Sequence, residues 1–233
     1  MSRSVLVTGG NKGIGLAIAQ AFAEAGDRVA VTYRSDPPEG FLSVRCDVSD
    51  PDQVDQAFTE VEQAHGPVEV LVANAGMTRD QLLLRMSEQD FTSVLDTNLT
   101  GVFRVVKRAS RGMLRARRGR IVIISSAVAL RGEVGQANYA ASKAGLIGFA
   151  RSLARELGPR SITVNVVAPG LTDTGMISAL TPEQRTKMIE ETPLRRLAQP
   201  EEVAGAVRFL ASPEAAFVTG AVLPVDGGAA MGH

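Results

Sequence analysis

The stretch SVLVTGGNKGIG, residues 4–15, decides how the rest of the chain is read. Its first half is a short β-rich apolar run, as expected of a strand covered on both faces. Glycines follow at positions 9, 13 and 15, and a helical pattern opens near residue 13. Glycines between a strand and a helix let a ligand approach the backbone closely, while the helix N-terminus supplies N–H donors and a positive dipole. A pyrophosphate is the anion that such a turn accommodates. The spacing differs from GxGxxG, and tight turns use glycine for conformational reasons alone, so the reading needs support from the remaining sequence.

That support comes from alternation. Strand candidates are SVLVT (4–8), RVAVTY (28–33), FLSVR (41–45), VEVLVA (68–73), RIVIIS (120–125), ITVNVVA (162–168) and AVLPV (221–225). Most are continuously apolar, the pattern of buried parallel strands. Helical windows lie near 13–25, 51–64, 87–110, 138–157 and 200–211, with Asp50 a natural N-cap and Pro51 and Pro200 placed where a first turn tolerates proline. The expectation is α/β: one doubly wound Rossmann domain over residues 1–233, with about seven parallel strands and helices on both faces.

Composition narrows the function classes. The chain has 233 residues, 45% of them hydrophobic, and 25 basic side chains balance 25 acidic ones. This balance gives no global attraction to nucleic acid or an anionic membrane. Cys46 is the single cysteine, which excludes an internal disulfide and a cysteine-based metal cluster and suits a reducing cytoplasm. No metal is expected. No apolar run approaches a membrane span, and the N-terminus lacks the form of a cleavable signal.

QANYAASKAG, residues 136–145, holds one of the two tyrosines, Tyr139, and a lysine four residues later, Lys143. Residues four apart share a helix face, so the phenol and the ammonium can meet. Taken alone, the pair equally fits a core tyrosine beside a lysine that snorkels to water.

Several motifs together resemble the short-chain dehydrogenase/reductase family. TGGNKGIG (8–15) matches its TGxxxGxG pattern, ANAG (73–76) is similar to its NNAG, and YAASK matches its YxxxK. Ser126 lies thirteen residues before Tyr139, like the family's catalytic serine, and APG (168–170) resembles its PG turn before a substrate lid. NLTGVFRV (98–105), GQANYAASKAGLIGFARSLA (135–154), ITVNVVAPG (162–170) and PVDGG (224–228) look most like β-ketoacyl-acyl-carrier-protein reductases. Position 73 is alanine where the family often has asparagine.

The resemblance implies an enzyme, a 3-oxoacyl-[acyl-carrier-protein] reductase of fatty acid synthesis. Another short-chain reductase, acting on a polyketide intermediate or a small alcohol or ketone, is the alternative, and a non-catalytic nucleotide-binding protein a more distant one. Ketone reduction needs hydride at carbon and a proton at oxygen. Tyr139 is the implied acid, Lys143 the cation that lowers its pKa and holds the nicotinamide ribose, and Ser126 the donor to the carbonyl oxygen. Asn98 resembles the asparagine that positions a water beside the lysine. Ser125 is expected to point to the other face of the sheet.

Gly9, Asn11, Lys12, Gly13, Ile14 and Gly15 are expected to cradle the cofactor, and Asn74, Ala75 and Gly76 to line it with Tyr139 and Lys143. Pro169, Gly170 and Thr172 join them by the same resemblance, which also gives Asp47 and Val48 to the adenine edge. Arg34, just after the second strand, is placed to fork onto a 2′-phosphate, with Lys12 adding charge, so NADPH is favoured. Asp36 is the competing acid but precedes Pro37-Pro38.

Partners follow from two features. A helix over 138–157 would carry Tyr139, Lys143, Leu146, Ala150, Leu153 and Leu157 on one face, and Ala141, Gly145, Gly148 and Ser152 on the other. In related reductases this helix packs across a subunit interface, which implies a homotetramer. RGMLRARRGR (111–120) concentrates five arginines. The resemblance assigns Arg117 and Arg160 to docking of the acidic acyl carrier protein, against the alternative of a solvated helix end. The lid, residues 171–195, is expected to move; neither it nor Arg131 and Glu133 gives a rule for acyl length.

Overall fold

The computed structural model describes residues 2–175 and 181–231. All seven strand candidates form strands: Ser4–Val7 (β1), Arg28–Tyr33 (β2), Leu42–Arg45 (β3), Val70–Ala73 (β4), Gly119–Ile124 (β5), Ile162–Pro169 (β6) and Val222–Val225 (β7). They make one parallel sheet in the order β3-β2-β1-β4-β5-β6-β7. The helices are Gly13–Glu24 (α1), Pro51–His65 (α2), Glu88–Leu95 (α3), Gly101–Ala116 (α4), Val128–Arg131 (α5), Ala137–Leu157 (α6), Pro182–Glu191 (α7) and Pro200–Leu210 (α8).

Strand alternation divides the core. Val5 and Val7 of β1 join Val29, Val31, Val70, Val72, Val122 and Ile124 beneath α1 and α8, with Phe22 and Leu210. Leu6, between them in sequence, faces the other way and packs with Leu71, Ile121, Ile123 and Val164 beneath α2, α4 and α6, with Phe58, Val105 and Leu146. Because both faces are covered, the strands are apolar at most positions, on both faces alike. Burying each large side chain contributes roughly 1.5–3 kcal/mol, so the two layers hold the sheet from both sides.

The chain runs outward from β1 to β2 and β3, then returns to β4 on the far side of β1. At such a reversal the loops after β1 and β4 diverge and leave a crevice at the carboxyl edge of the sheet. The candidate site residues gather along that edge.

One helical expectation is corrected. The window 87–110 is interrupted, because α3 and α4 are separated by a π-turn, Asp96–Thr100. Asn98 in this turn is fully buried, its Oδ1 accepting from Met77 N–H (2.8 Å) and its Nδ2 donating to Met77 O (2.9 Å) and Ser142 Oγ (3.1 Å). The wide turn adds a residue to the coil, which lets Asn98 face inward without unwinding α4. Gly101 then lies against Val48, where a Cβ would come within 2.7 Å of Cγ2.

The long helix α6 buries Lys143, Leu146, Ala150 and Leu157, with Leu153 half-buried, while Ala141, Gly145, Gly148 and Ser152 are exposed. A Cβ on Gly148 would meet nothing within 4 Å, so no described element of this chain covers it. Beside this face the exposed Phe103 of α4 meets Phe149 of α6 edge-on at 6.4 Å.

Gly101→Ala should cost about 1–3 kcal/mol through overpacking. Adding Val48→Ala supplies the room, so the double variant should lose less than the sum of the single ones in urea unfolding; strictly additive losses would show that the contact is not limiting.

Candidate active site

The loop after β1 is built by threonines and an asparagine. Gly9 N–H donates to Thr32 Oγ1 (3.1 Å) and Gly10 N–H to Thr32 O (3.0 Å). Thr8 Oγ1 accepts from Asn74 N–H (3.0 Å) and Ala75 N–H (3.1 Å), and the Asn74 amide donates to Thr8 O (3.0 Å) and Gly9 O (3.1 Å). The loops after β1 and β4 are thus tied together. Gly15 is fixed by close approach, since a Cβ there would lie 2.4 Å from Gly9 O and 2.5 Å from Asn74 Nδ2. Gly9 has φ 63°, a left-handed conformation that favours glycine.

The first turn of α1, with Gly13, Ile14 and Gly15, has no side-chain cap and no acidic residue. Its N–H groups and dipole therefore face the crevice without a competing anion, the arrangement that suits a phosphate. Lys12 is exposed at the N-cap, while the Asn11 amide donates to Asp36 O (3.2 Å). The side chain of Ile14 packs on the core, leaving its backbone for a ligand. The Asn74 amide N–H groups are spent on holding the two loops together.

Arg34 follows β2 and lies 3.7 Å from Asp47, with its guanidinium side chain 64% exposed. Burial pushes the Asp47 carboxyl up, but hydrogen bonds from Ser49 and the charge of Arg34 outweigh it and hold Asp47 below the usual range. An exposed pair of this kind is weak, so the arginine is available to a competing phosphate. Asp36 is exposed in the loop, as its prolines implied. The Val48 side chain is buried in the core, so any ligand contact it makes is through its backbone.

Beyond β5, Ser126, Tyr139 and Lys143 meet. The Ser126 hydroxyl acts on the Tyr139 phenol as a hydrogen-bonding neighbour that favours the phenolate, and it accepts from Val128 N–H (3.2 Å). Lys143 is buried, donates to Ile124 O (2.8 Å), and its Nζ stands 5.7 Å from the Tyr139 ring centroid. A Cβ on Gly76 would sit 3.2 Å from Asn98 Oδ1 and 3.4 Å from Lys143 Nζ, which puts the loop after β4 over both. Ser125 is turned away from the phenol: its hydroxyl donates to Lys143 O (2.9 Å).

The electrostatics correct one expectation. Burial raises the Tyr139 phenol, the Ser126 hydrogen bond opposes that rise, and Asp80 adds to it, leaving the pKa above its ordinary value. Lys143 does not reverse this. Burial pushes its own pKa down to about 8, and it is bonded to a carbonyl rather than to the phenol.

At the end of β6, Pro169 O accepts from Ala127 N–H (2.8 Å) and Gly170 N–H donates to Val225 O (3.0 Å). Thr172 is buried, and its hydroxyl donates to Gly170 O (3.0 Å), so it shapes the turn. Of the expected lid at 171–195, residues 176–180 lie outside the described residues, and α7 forms within the rest. Arg131 and Glu133 pair with each other at 2.8 Å.

Arg117 and Arg160 are not brought to this site. Each is exposed and lies two residues before a strand, at Gly119 and Ile162, which are register partners in β5 and β6. Ser126 follows the opposite end of β5. Six residues of strand span roughly 20 Å, so the two arginines stand at the amino edge of the sheet and Ser126 at the carboxyl edge.

Residues 9–230 match a family model described as "Enoyl-(Acyl carrier protein) reductase". The chain belongs to the short-chain dehydrogenase/reductase family. It is 56% identical to the 3-oxoacyl-[acyl-carrier-protein] reductase MabA of Mycobacterium avium, covering 100% of this chain and 92% of the relative. It is 46% identical to the 3-oxoacyl-[acyl-carrier-protein] reductase FabG of Vibrio cholerae and 45% to that of Escherichia coli, each over 97% of this chain and 96% of the relative. Within this short-chain dehydrogenase/reductase chain, Thr8, Thr32, Asn138 and Ser142 are supporting residues that the sequence reading missed. The signal for the threonines is that each is a polar residue in a mainly apolar run.

Lys143 makes stability depend on pH. Its folded pKa of about 8 lies below the ordinary 10.5, so between these values the unfolded chain holds the extra proton and rising pH favours the fold. Below about pH 8 the burial penalty is fully present. Lys143→Met should therefore be more stable than the parent at pH 7 by on the order of 1–3 kcal/mol. The difference should shrink as pH rises from about 8 toward 10.5, read by urea unfolding without cofactor. A constant difference across that window would refute a buried titrating ammonium.

Proposed function

We propose that this protein reduces 3-oxoacyl groups on acyl carrier protein to 3-hydroxyacyl groups, with NADPH as hydride donor, in fatty acid synthesis. The carrying observation is the meeting of Ser126, Tyr139 and Lys143 beside an uncapped helix N-terminus. The relatives named 3-oxoacyl-[acyl-carrier-protein] reductase support the substrate class.

The substrate ketone oxygen takes a place between the Ser126 hydroxyl and the Tyr139 phenol. The nicotinamide, when bound, supplies hydride to the ketone carbon. As the carbonyl π pair moves onto oxygen, Ser126 donates a hydrogen bond to the developing charge and Tyr139 gives up its proton, which yields the secondary alcohol. A phenol held above its ordinary pKa is protonated at neutral pH and ready for this role. The phenolate left behind is the costly species, and the Lys143 ammonium offsets its charge. With a pKa of about 8, Lys143 also exchanges protons near neutrality. Asn98 Oδ1 has one lone pair beyond its bond to Met77 N–H, and holds a water beside the lysine.

The cofactor groups divide similarly. Gly9, Gly13 and Gly15 with the α1 N–H groups take the pyrophosphate, Asn74, Ala75 and Gly76 border the nicotinamide side, and Lys143 holds the ribose. Arg34 exchanges Asp47 for the 2′-phosphate, with Lys12 nearby.

The uncovered α4/α6 face packs on a second copy in a homotetramer. A 21-residue helix rises about 30 Å, and α6 carries Tyr139 near one end while leading to Arg160 at the other. If carrier protein docks on Arg117 and Arg160, it serves the site of a neighbour whose α6 runs antiparallel, as in an isologous pair.

Oxidation of NADPH should be faster with acetoacetyl carrier protein and acetoacetyl-CoA than with a panel of free ketones; preference for a free ketone would overturn the substrate assignment. Tyr139→Phe should lower turnover by about 10²–10⁴-fold while NADPH still binds, and near-parental turnover would remove the acid.

Arg34→Ala should weaken NADPH far more than NADH, because only the former carries the 2′-phosphate. Equal weakening in a fluorescence titration would make the Arg34–Asp47 pair merely structural.

A further inference from the structure

The first turn of α6 has an unusual cap. Its N-cap residue, Gln136, makes no side-chain bond to the helix; its amide instead donates to Asp80 Oδ2 (2.7 Å). The orphan N–H of Tyr139, third in the helix, is taken up from within by the preceding side chain: Asn138 Oδ1 accepts it at 2.8 Å. Asn138 is fully buried. Its Nδ2 donates to Arg79 O (2.9 Å) and Asp90 O (3.3 Å).

One amide therefore joins three elements: the helix that carries the phenol, the segment that continues from the loop after β4, and α3. Gln81 N–H donating to Gly135 O (2.8 Å) fixes the same segment to the approach of α6. The loop after β4 reaches Lys143 through Gly76, so this segment runs from the lysine side of the site back to the backbone of Tyr139. Only a neutral amide offers one acceptor and two donors in this geometry. Aspartate keeps the acceptor but turns a carboxylate toward two carbonyls, and alanine removes the side-chain partner of Tyr139 N–H, Arg79 O and Asp90 O alike.

We infer that Asn138 is a positioning residue for Tyr139, holding the phenol in register with Ser126 and Lys143 by tying the first turn of α6 to the segment after β4. The inference rests on the reading of Tyr139 as the acid. Asn138 touches no reacting atom itself; it acts through the backbone of its neighbour.

Two tyrosines, Tyr33 and Tyr139, and no tryptophan make the test direct. In a Tyr33→Phe background the ultraviolet phenolate band reports Tyr139 alone, with Lys143 on α6, Asp80 after β4 and the Ser126 hydroxyl as the groups facing it. Asn138→Ala should lower kcat about 10–100-fold, the scale of a small misplacement of a reacting group, with NADPH Kd within about threefold. The Tyr139 titration should move toward an ordinary phenol as its burial loosens. Asn138→Asp retains the bond to Tyr139 N–H and should show a similar loss of kcat, which keeps the test decisive where the alanine variant fails to fold. If the folded variants lose melting temperature but keep kcat within about twofold, with the Tyr139 titration unmoved, Asn138 is structural only and the inference is wrong. If Tyr139→Phe itself retains turnover, the acid reading falls and this inference with it; if Tyr139→Phe is inactive while both Asn138 variants are active, only the inference falls.

Discussion

A buried ammonium is the constraint around which the site is assembled. Lys143 is removed from water with Ile124 O as its hydrogen-bond partner at 2.8 Å, and its pKa falls to about 8. Ile124 ends β5, and the Ser125 hydroxyl after it returns a bond to Lys143 O, so strand end and helix are tied twice across the same few ångströms. Ser126 is therefore delivered to Tyr139 by the same junction that buries the lysine. The π-turn and Gly76 close the remaining side, where a larger residue at 76 would press on both Lys143 and Asn98. Such a lysine is costly in the free protein, and the cost is sustained by packing that spans both faces of the sheet.

The strands were legible because burial on both faces writes itself as continuous apolar sequence. RVAVTY is bounded in the structure as it is in the sequence, at 28–33, and the other strand ends differ by only a residue or two. The glycine spacing likewise carried the loop geometry, since Gly15 is demanded by backbone contact with Gly9 O. What failed was local periodicity where a side chain overrode it. Nothing in 87–110 marks a π-turn, because its cause is the distant Met77 backbone and Ser142, which Asn98 satisfies. The phenol's electrostatics were misjudged for a related reason: spacing showed that Tyr139 and Lys143 share a face, but the depth that raises one pKa and lowers the other is set by the whole fold. The far placement of Arg117 and Arg160 was hidden in the same way, since sequence distance from Ser126 says nothing about which end of a strand a residue occupies until the strand is counted.

Hydrogen-bonding capacity sorts the polar residues of the site into two kinds. Asn74 and Asn138 are amides committed to backbone: Asn74 donates to two carbonyls, and Asn138 donates to two carbonyls while accepting from Tyr139 N–H. Thr8, Thr32 and Thr172 are used in the same manner. These groups avoid the penalty of unpaired burial and make the loops rigid. Ser126, Tyr139, Lys143, Arg34 and Lys12 retain donors or charge that the protein leaves incompletely matched. Chemistry and anion binding need such residual capacity, and a rigid frame keeps it from being spent internally. The contrast explains why neighbouring residues of similar type divide so cleanly: Ser125 gives its hydroxyl to the helix backbone, whereas Ser126, one residue on, presents its own to the phenol.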